Sequence, residues 1–287
     1  MPLPPSDIPT STLEVLPEFQ AQVFAYQGMI GGCGVTSLVV QTAYELSLLG
    51  NGLKQNTVCL VDLDFERGDC AAYLDKPPSL MLEDINATLG RMDTDLARTF
   101  VRPYSDTLSY VAPNGVLGGN DRINPDAVLG LLDSLCDLFD FIILDVPAFW
   151  RPVSEACIGA ADKFFLMTEL RVPALHRTRQ HTELVTERLN LASPPEIIIN
   201  KKERRSMLSG LDIKDAQQVL ERIDIEQICN DEDALRLAVN NGQPVGKINP
   251  DARYVKSVRA HVFRLTGREI PAQAQPVSLF GRRQSRR

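Results

Sequence analysis

Seven short runs of β-branched and other apolar residues recur along the chain, separated by stretches with helical spacing. No other feature constrains the fold as tightly. The runs are Val23 to Tyr26, Thr57 to Asp62, Leu108 to Val111, Phe141 to Asp145, Lys163 to Thr168, Glu196 to Asn200 and Ile225 to Cys229. Helical patterns cover Val35 to Leu49, closed by Gly50-Asn51-Gly52, then Pro125 to Cys136, Pro173 to Asn190, Asp231 to Asn240 and Tyr254 to Thr266. Strands alternating with helices mark βαβ units, and strands that are apolar almost throughout belong at the centre of a parallel sheet buried on both faces. The expected architecture is α/β: a doubly wound, mostly parallel sheet with helices on both faces. Ligands in such sheets bind beyond the carboxyl ends of the strands, so the residues that follow each run carry the functional information.

After the first run comes Gln27-Gly28-Met29-Ile30-Gly31-Gly32-Cys33-Gly34-Val35-Thr36-Ser37, leading directly into a helix. Glycines at 31, 32 and 34 let backbone N–H groups curl around a phosphate at the positive end of that helix, and Thr36 or Ser37 offers a hydroxyl to Mg²⁺. The pattern G-x-x-x-x-G-K-[ST] is nevertheless broken, because the lysine position is Val35 and the first-glycine position is Met29. Taken alone, the loop also fits a tight strand-to-helix turn that simply needs glycine.

Two further runs end in acids: Leu60-Val61-Asp62-Leu63-Asp64, and Phe141-Ile142-Ile143-Leu144-Asp145-Val146-Pro147. If those strands neighbour the loop, Asp145 is placed to hold Mg²⁺ through water, while Asp62 and Asp64 are placed to orient an attacking water. A single acid at a strand end more often caps a helix or forms a turn. Three such signals in order around a glycine loop favour a site.

These motifs resemble the ParA/MinD deviant Walker ATPases, and within them the CpaE/TadZ pilus-assembly branch, over about residues 21 to 268. The loop from Gly28 to Ser37 is similar to that branch's G-x-R-G-G-V-G-A-S-T, and VDLDFERGDCAAYLD and LCDLFDFIILDVP are similar to its later motifs. Thr168, Asn200, Asn230-Asp231 and Asn240-Asn241-Gly242-Gln243-Pro244 fall where the family has its own Thr, Asn, N-D and N-x-G-x-P. The resemblance implies a P-loop NTPase fold of the SIMIBI/MinD-like kind and a protein that binds ATP or ADP with Mg²⁺. It also implies that the protein dimerises around nucleotide and helps to place or assemble a surface machine such as a pilus. The phosphate site would be Gly31, Gly32, Cys33, Gly34, Val35, Thr36 and Ser37, with Thr36 and Asp145 at the metal and Asp64 and Asp62 at the water. Asn200 would read the adenine edge, an amide being both donor and acceptor, and Asn230 would complete the nucleotide-binding set. Two departures stand out: Ile30 occupies the position of the lysine that crosses the dimer, and the receiver-like domain that usually precedes the family's ATPase domain is not expected in these residues.

Losing two cations predicts slow or vestigial hydrolysis, unless Arg67, the cluster Lys201-Lys202-Glu203-Arg204-Arg205 or a partner replaces them. An alternative is a nucleotide-free interaction protein. A DNA-partitioning ParA fits less well, because the formal charge is −7 and residues 251–287 alone hold +7, leaving an acidic body. The first 20 residues carry five prolines and read as a disordered leader, 21–268 as the P-loop domain, and 269–287 as a flexible basic tail. That tail offers a contact to membrane or to an acidic partner. The N-terminus lacks the pattern of a secretory signal, and a cytoplasmic location, peripheral at most to the inner face of the membrane, is expected. The six scattered cysteines read as small buried hydrophobes. His261 reads as surface-facing with no acid beside it, and His176 and His181 do not share a helix face well enough to hold a metal.

Overall fold

The computed structural model describes residues 21–50, 56–189, 191, 194–202 and 210–270. The expected leader, the tail beyond 270 and residues 203–205 of the basic cluster lie outside the described residues. In chain order the elements are β1 (Gln22–Gly28), α1 (Val35–Ser47), β2 (Val58–Asp62), α2 (Asp69–Tyr73), α3 (Leu82–Asn86), α4 (Thr94–Phe100), β3 (Arg102–Pro103), β4 (Leu108–Val111), α5 (Gly119–Arg122) and α6 (Pro125–Cys136). There follow β5 (Phe141–Val146), α7 (Pro152–Gly159), β6 (Lys163–Thr168), α8 (Val172–Leu189), β7 (Glu196–Lys202), α9 (Ile213–Leu220), β8 (Ile225–Cys229), α10 (Glu232–Asn240), α11 (Val245–Ile248) and α12 (Arg253–Thr266).

The strands form one sheet in the order β3-β4-β2-β5-β1-β6-β7-β8. Every pairing is parallel except β3 with β4. Side chains alternate across a strand, and β1 shows both faces in use: Phe24 and Tyr26 join the cluster under α1 and α12, while Val23 and Ala25 join the cluster under α6 and α7. A third, smaller cluster of Leu175, Ile197, Ile199, Ala216, Leu220 and Ile225 seats α8 and α9. Burial on both faces is the physical reason that the strands read as continuous apolar runs.

The site is positioned by where the winding reverses. From β1 the chain crosses through α1 to β2, leaving room for β5 beside β1, and β6 pairs on the other side of β1. The carboxyl end of β1 is therefore the crevice of a doubly wound sheet. Register completes the placement, because Asp62 on β2 and Asp145 on β5 are direct partners.

The apolar stripe that helical spacing predicts on α12, formed by Tyr254, Val255, Val258, Val262 and Leu265, docks on the sheet, the first four fully buried and Leu265 half-buried against the same cluster. His261 overturns the expectation of a surface position: it is 1% exposed. Its Nε2 lies 2.7 Å from the Tyr26 hydroxyl and its Nδ1 2.7 Å from Glu226 Oε2. The acid that was not visible beside it in sequence arrives from β8, which packs under α12.

Candidate functional site

The loop after β1 owes its shape to glycine at two points. Gly32 and Gly34 sit at φ 74° and 93°, in the left-handed region, and a Cβ on Gly34 would fall 2.7 Å from Asn200 Nδ2. Gly31 and Gly32 border open space, a Cβ at either meeting nothing within 4 Å. α1 begins immediately afterwards with no side-chain cap and no acid in its first turn. Its leading N–H groups and the positive end of its dipole are thus left for an anion.

The loop is tied to β7 by two consecutive residues. Asn200 Nδ2 donates to the Cys33 carbonyl at 2.7 Å, and Lys201 Nζ donates to the Gly32 carbonyl at 2.7 Å. A trans peptide holds its C=O and the following N–H antiparallel, so tying these carbonyls toward β7 turns the Cys33 and Gly34 N–H groups the other way. Lys201 also pairs with the nearly buried Glu169 at 2.7 Å, from a backbone with φ 54° that is uncommon for a residue with a side chain.

A cavity of about 660 Å³ opens over the loop. It gathers the residues expected at the phosphates, metal, water and base, namely Gly31 to Ser37 on the loop, Asp62 on β2 with Asp64 after it, Asp145 on β5, Asn200 on β7 and Asn230 after β8, whereas Thr168, Asp231 and Asn241 to Pro244 are not among its lining residues. Cavities of this size suit a nucleotide-sized ligand. Three cations, Arg67, Lys201 and Arg236, face five acids around the wall: Asp62, Asp64, Asp69, Asp145 and Glu232. Ile30 and Val35, which stand at the lysine positions, pack partly against the core.

The carboxylates are held firmly. Thr36 Oγ1 donates to Asp145 Oδ2 at 2.7 Å. Asp62 accepts the Asp64 N–H on Oδ1 and the Cys70 N–H on Oδ2, both at 2.9 Å. Asp64 Oδ1 takes the Glu66 and Arg67 N–H groups and the Asn120 amide. Burial, followed by the charge of Asp145, pushes the Asp62 carboxyl well above the usual carboxylate range. Burial raises Asp145 from 3.8 to about 6, opposed by its hydrogen bonds from Thr36 and Cys70. Hydroxyl, paired acids and an uncapped helix are the chemistry that fits Mg²⁺ with a polyphosphate.

Sequence reasoning missed one member of this corner. Cys70 is fully buried, and its Sγ donates to Asp145 Oδ2 at 3.3 Å. The thiol sulfur and carboxylate oxygens of Asp62, Cys70 and Asp145 lie within 4.8 Å of one another. Cys33, Cys59, Cys70 and Cys157 are buried as expected, Cys136 and Cys229 are only half-buried, and Cys70 adds a polar contact that the reading of a plain hydrophobe did not include. His176 and His181 do not meet; His181 turns inward to within 3.2 Å of Gln27 Oε1, and His176 is exposed.

No protein-family model matches the chain. The septum site-determining protein MinD of Bacillus subtilis (strain 168) is 24% identical over 245 residues, covering 85% of this chain and 88% of that protein. MinD of Thermotoga maritima is 22% identical over 245 residues, covering 85% and 87%. Among solved structures, a ParA family ATPase from Chlorobium tepidum TLS superposes with a TM-score of 0.72 at 25% identity over 84% of this chain and 98% of that one. MinD complexed with Mg-ADP from Pyrococcus horikoshii OT3 gives 0.71 at 17% identity over 86% and 96%. Among the described residues no helix is long and apolar enough to cross a membrane. Over most of its length the chain is thus similar in sequence to MinD proteins and shares the fold of the MinD and ParA family ATPases.

Proposed function

We propose that this chain is an ATP-binding MinD/ParA-like protein with slow or vestigial hydrolysis, acting as a nucleotide-gated dimeric scaffold. Its task in this reading is to place or assemble a pilus of the Tad/Flp type or a related surface machine, as the CpaE/TadZ-like motifs imply. One observation carries the reading: the open glycine loop runs into an uncapped helix and faces the Thr36–Asp145 pair, while both lysine positions are apolar.

In this assignment the backbone N–H groups from Gly31 to Thr36, with Ser37 beside them, hold the phosphates. Asn200 and Asn230 flank the base. Thr36 and Asp145 hold Mg²⁺, Asp145 through water, and Asp62 and Asp64 orient the attacking water. Mg²⁺ bound there would supply the positive charge that bridges and neutralises the phosphates. The apolar Val35 and Ile30 supply none, and loss of one preorganised stabiliser costs on the order of 10²- to 10³-fold in rate. Lys201, one candidate replacement on the cavity wall, is engaged by Gly32 and Glu169. Dimerisation is supported by apolar groups at the cavity: Val239 lines it with 38% exposure, and Phe149, next to the lining residue Ala148, is 73% exposed. Pilus or secretion proteins are the partners of this reading, with a cytoplasmic location and peripheral membrane contact through the basic 269–287 segment.

Light scattering with and without ATP and Mg²⁺, run beside a phosphate-release assay, tests the proposal. An ATP-dependent rise from monomer to dimer mass with turnover far below about 1 per second is expected. An unchanged mass, or turnover near that rate, contradicts it.

A further inference from the structure

Gly31, Gly32 and Gly34 give the phosphate loop freedom as well as reach, and glycine loses more conformational freedom on ordering than any other residue. Between Gly28 and Ser37 the loop has no Lys or Arg of its own to gather it around an anion. Two of its carbonyls are instead pinned from outside, at Gly32 by Lys201 and at Cys33 by Asn200.

The backbone is bent to aim Lys201 at the loop. This residue takes φ 54°, in the left-handed region that side chains disfavour, and the pairing of β7 with β8 is irregular between Ile199 and Lys202. Such a conformation persists only where its surroundings impose it, and an irregular ladder re-aims the side chain that it carries.

The ammonium is also anchored on its far side. Glu169, which follows β6 and is 5% exposed, meets Lys201 Nζ through Oε1 at 2.7 Å. Lys201 is among the residues that line the cavity, whereas Glu169 and Arg171 are not. Glu169 does not depend on Lys201 for its charge balance, because Arg171 meets its other oxygen, Oε2, at 3.2 Å. Glu169 and Arg171 already make a pair, and Lys201 is the added member that joins this pair to the loop.

We propose that Lys201 is a positioning residue for polyphosphate: a brace from β7, anchored on Glu169, that holds the Gly32 carbonyl and keeps the loop's N–H groups convergent before a ligand arrives. The inference rests on the reading that the cavity takes a nucleotide, and it names the device that sets affinity for the phosphates where the loop has no lysine. A loop ordered in advance lowers the cost of ordering that binding otherwise carries.

The test is calorimetry of the full chain with ATP and with tripolyphosphate, beside urea unfolding and ¹⁵N relaxation of the nucleotide-free protein. Lys201→Met should weaken both ligands by about tenfold, the worth of one charge-assisted hydrogen bond, and by the same factor, since the brace acts on the phosphates. It should lower the backbone order parameters at Gly32 and Cys33, and it should leave the unfolding midpoint close to the parent's because Glu169 keeps Arg171. Lys201→Arg should recover part of the affinity. Glu169→Gln frees the anchor and should weaken both ligands about threefold, as loss of a partly exposed pair does. Unchanged order parameters in Lys201→Met overturn the brace whatever the affinity, and so does tighter binding in Glu169→Gln, which would mean that the acid competes with phosphate for a mobile lysine. If Lys201→Met does not fold, Glu169→Gln still decides by the sign of its effect. ATP binding that neither variant alters rejects the brace and keeps the nucleotide reading; an unaltered protein that binds neither ATP nor tripolyphosphate rejects both.

Discussion

Buried acids occur on both sides of α1, and the two sides treat them differently. Toward α12, Glu45 is fully buried but meets Arg259, and Glu226 meets His261 and Arg264. Burial raises the Glu45 carboxyl while Arg259 opposes the rise, so the cation that steadies this acid is part of the chain. Toward the glycine loop, Asp62 and Asp145 face each other with hydroxyl, thiol and backbone donors but, among the described residues, no side-chain cation within ion-pair distance. The first arrangement closes on itself and serves to hold α12 on the sheet. The second is incomplete without an external positive charge, which is what a binding site requires and a structural core avoids.

The largest effect is expected on the self-contained side. Arg259→Met leaves Glu45 buried without its cation and should destabilise the protein by about 3–5 kcal/mol. Urea unfolding measures this, and a loss under about 1 kcal/mol, the level of an exposed pair, would erase the distinction between the two regions. ATP binding at concentrations where the variant remains folded should be nearly unchanged.

On the incomplete side, removing a charge should help the metal-free protein. Folded Asp145 keeps its proton up to about pH 6, against 3.8 for the group in an ordinary setting. Between those values the native state binds more protons than the unfolded chain. The stability this carboxyl contributes is whole below the lower value and is lost as pH rises through the upper one. Asp62 is displaced in the same direction. In the presence of chelator, Asp145→Asn should therefore gain about 1–3 kcal/mol on the parent between about pH 4 and 7, while losing the cation dependence of nucleotide binding. A flat difference between the two denaturation curves across that range would contradict the assigned shift.

The smallest effect concerns the loop. Val35→Lys restores an ammonium beside the phosphate cradle and should tighten ATP about tenfold, close to 1.4 kcal/mol, with a smaller gain for ADP. Calorimetry showing no change in a folded variant would mean that the loop is only a turn.

Much of this was legible in the residues because the same physics writes pattern and fold. Strands buried on both faces must be apolar throughout, and β4, β6 and β8 coincide with their expected runs. The long helices announced themselves through full periods and caps, as at α6, where Asn124 caps and Pro125 follows. Helices of four to eight residues, such as α5, α7, α9 and α11, are too short to show a period and went unread. The two-residue β3 was missed for the same reason. At the site, acids at strand ends and the glycine loop were visible, but their adjacency depended on strand order. Cys70 could not have been found, since its place depends on a turn packed against Pro113, and its acid partner is 75 residues away. His261 was misread because its partners are 35 and 235 residues distant.

The central claim, that the loop and the acid corner together hold a nucleoside triphosphate with a divalent ion, meets its most direct test in thermal unfolding with ATP and Mg²⁺. At ATP near 100 times its Kd, stabilisation of about 2.7 kcal/mol should raise the Tm by several degrees, with adenosine giving almost none and chelator abolishing the rise. A Tm that does not move at millimolar ATP with Mg²⁺ would contradict the account.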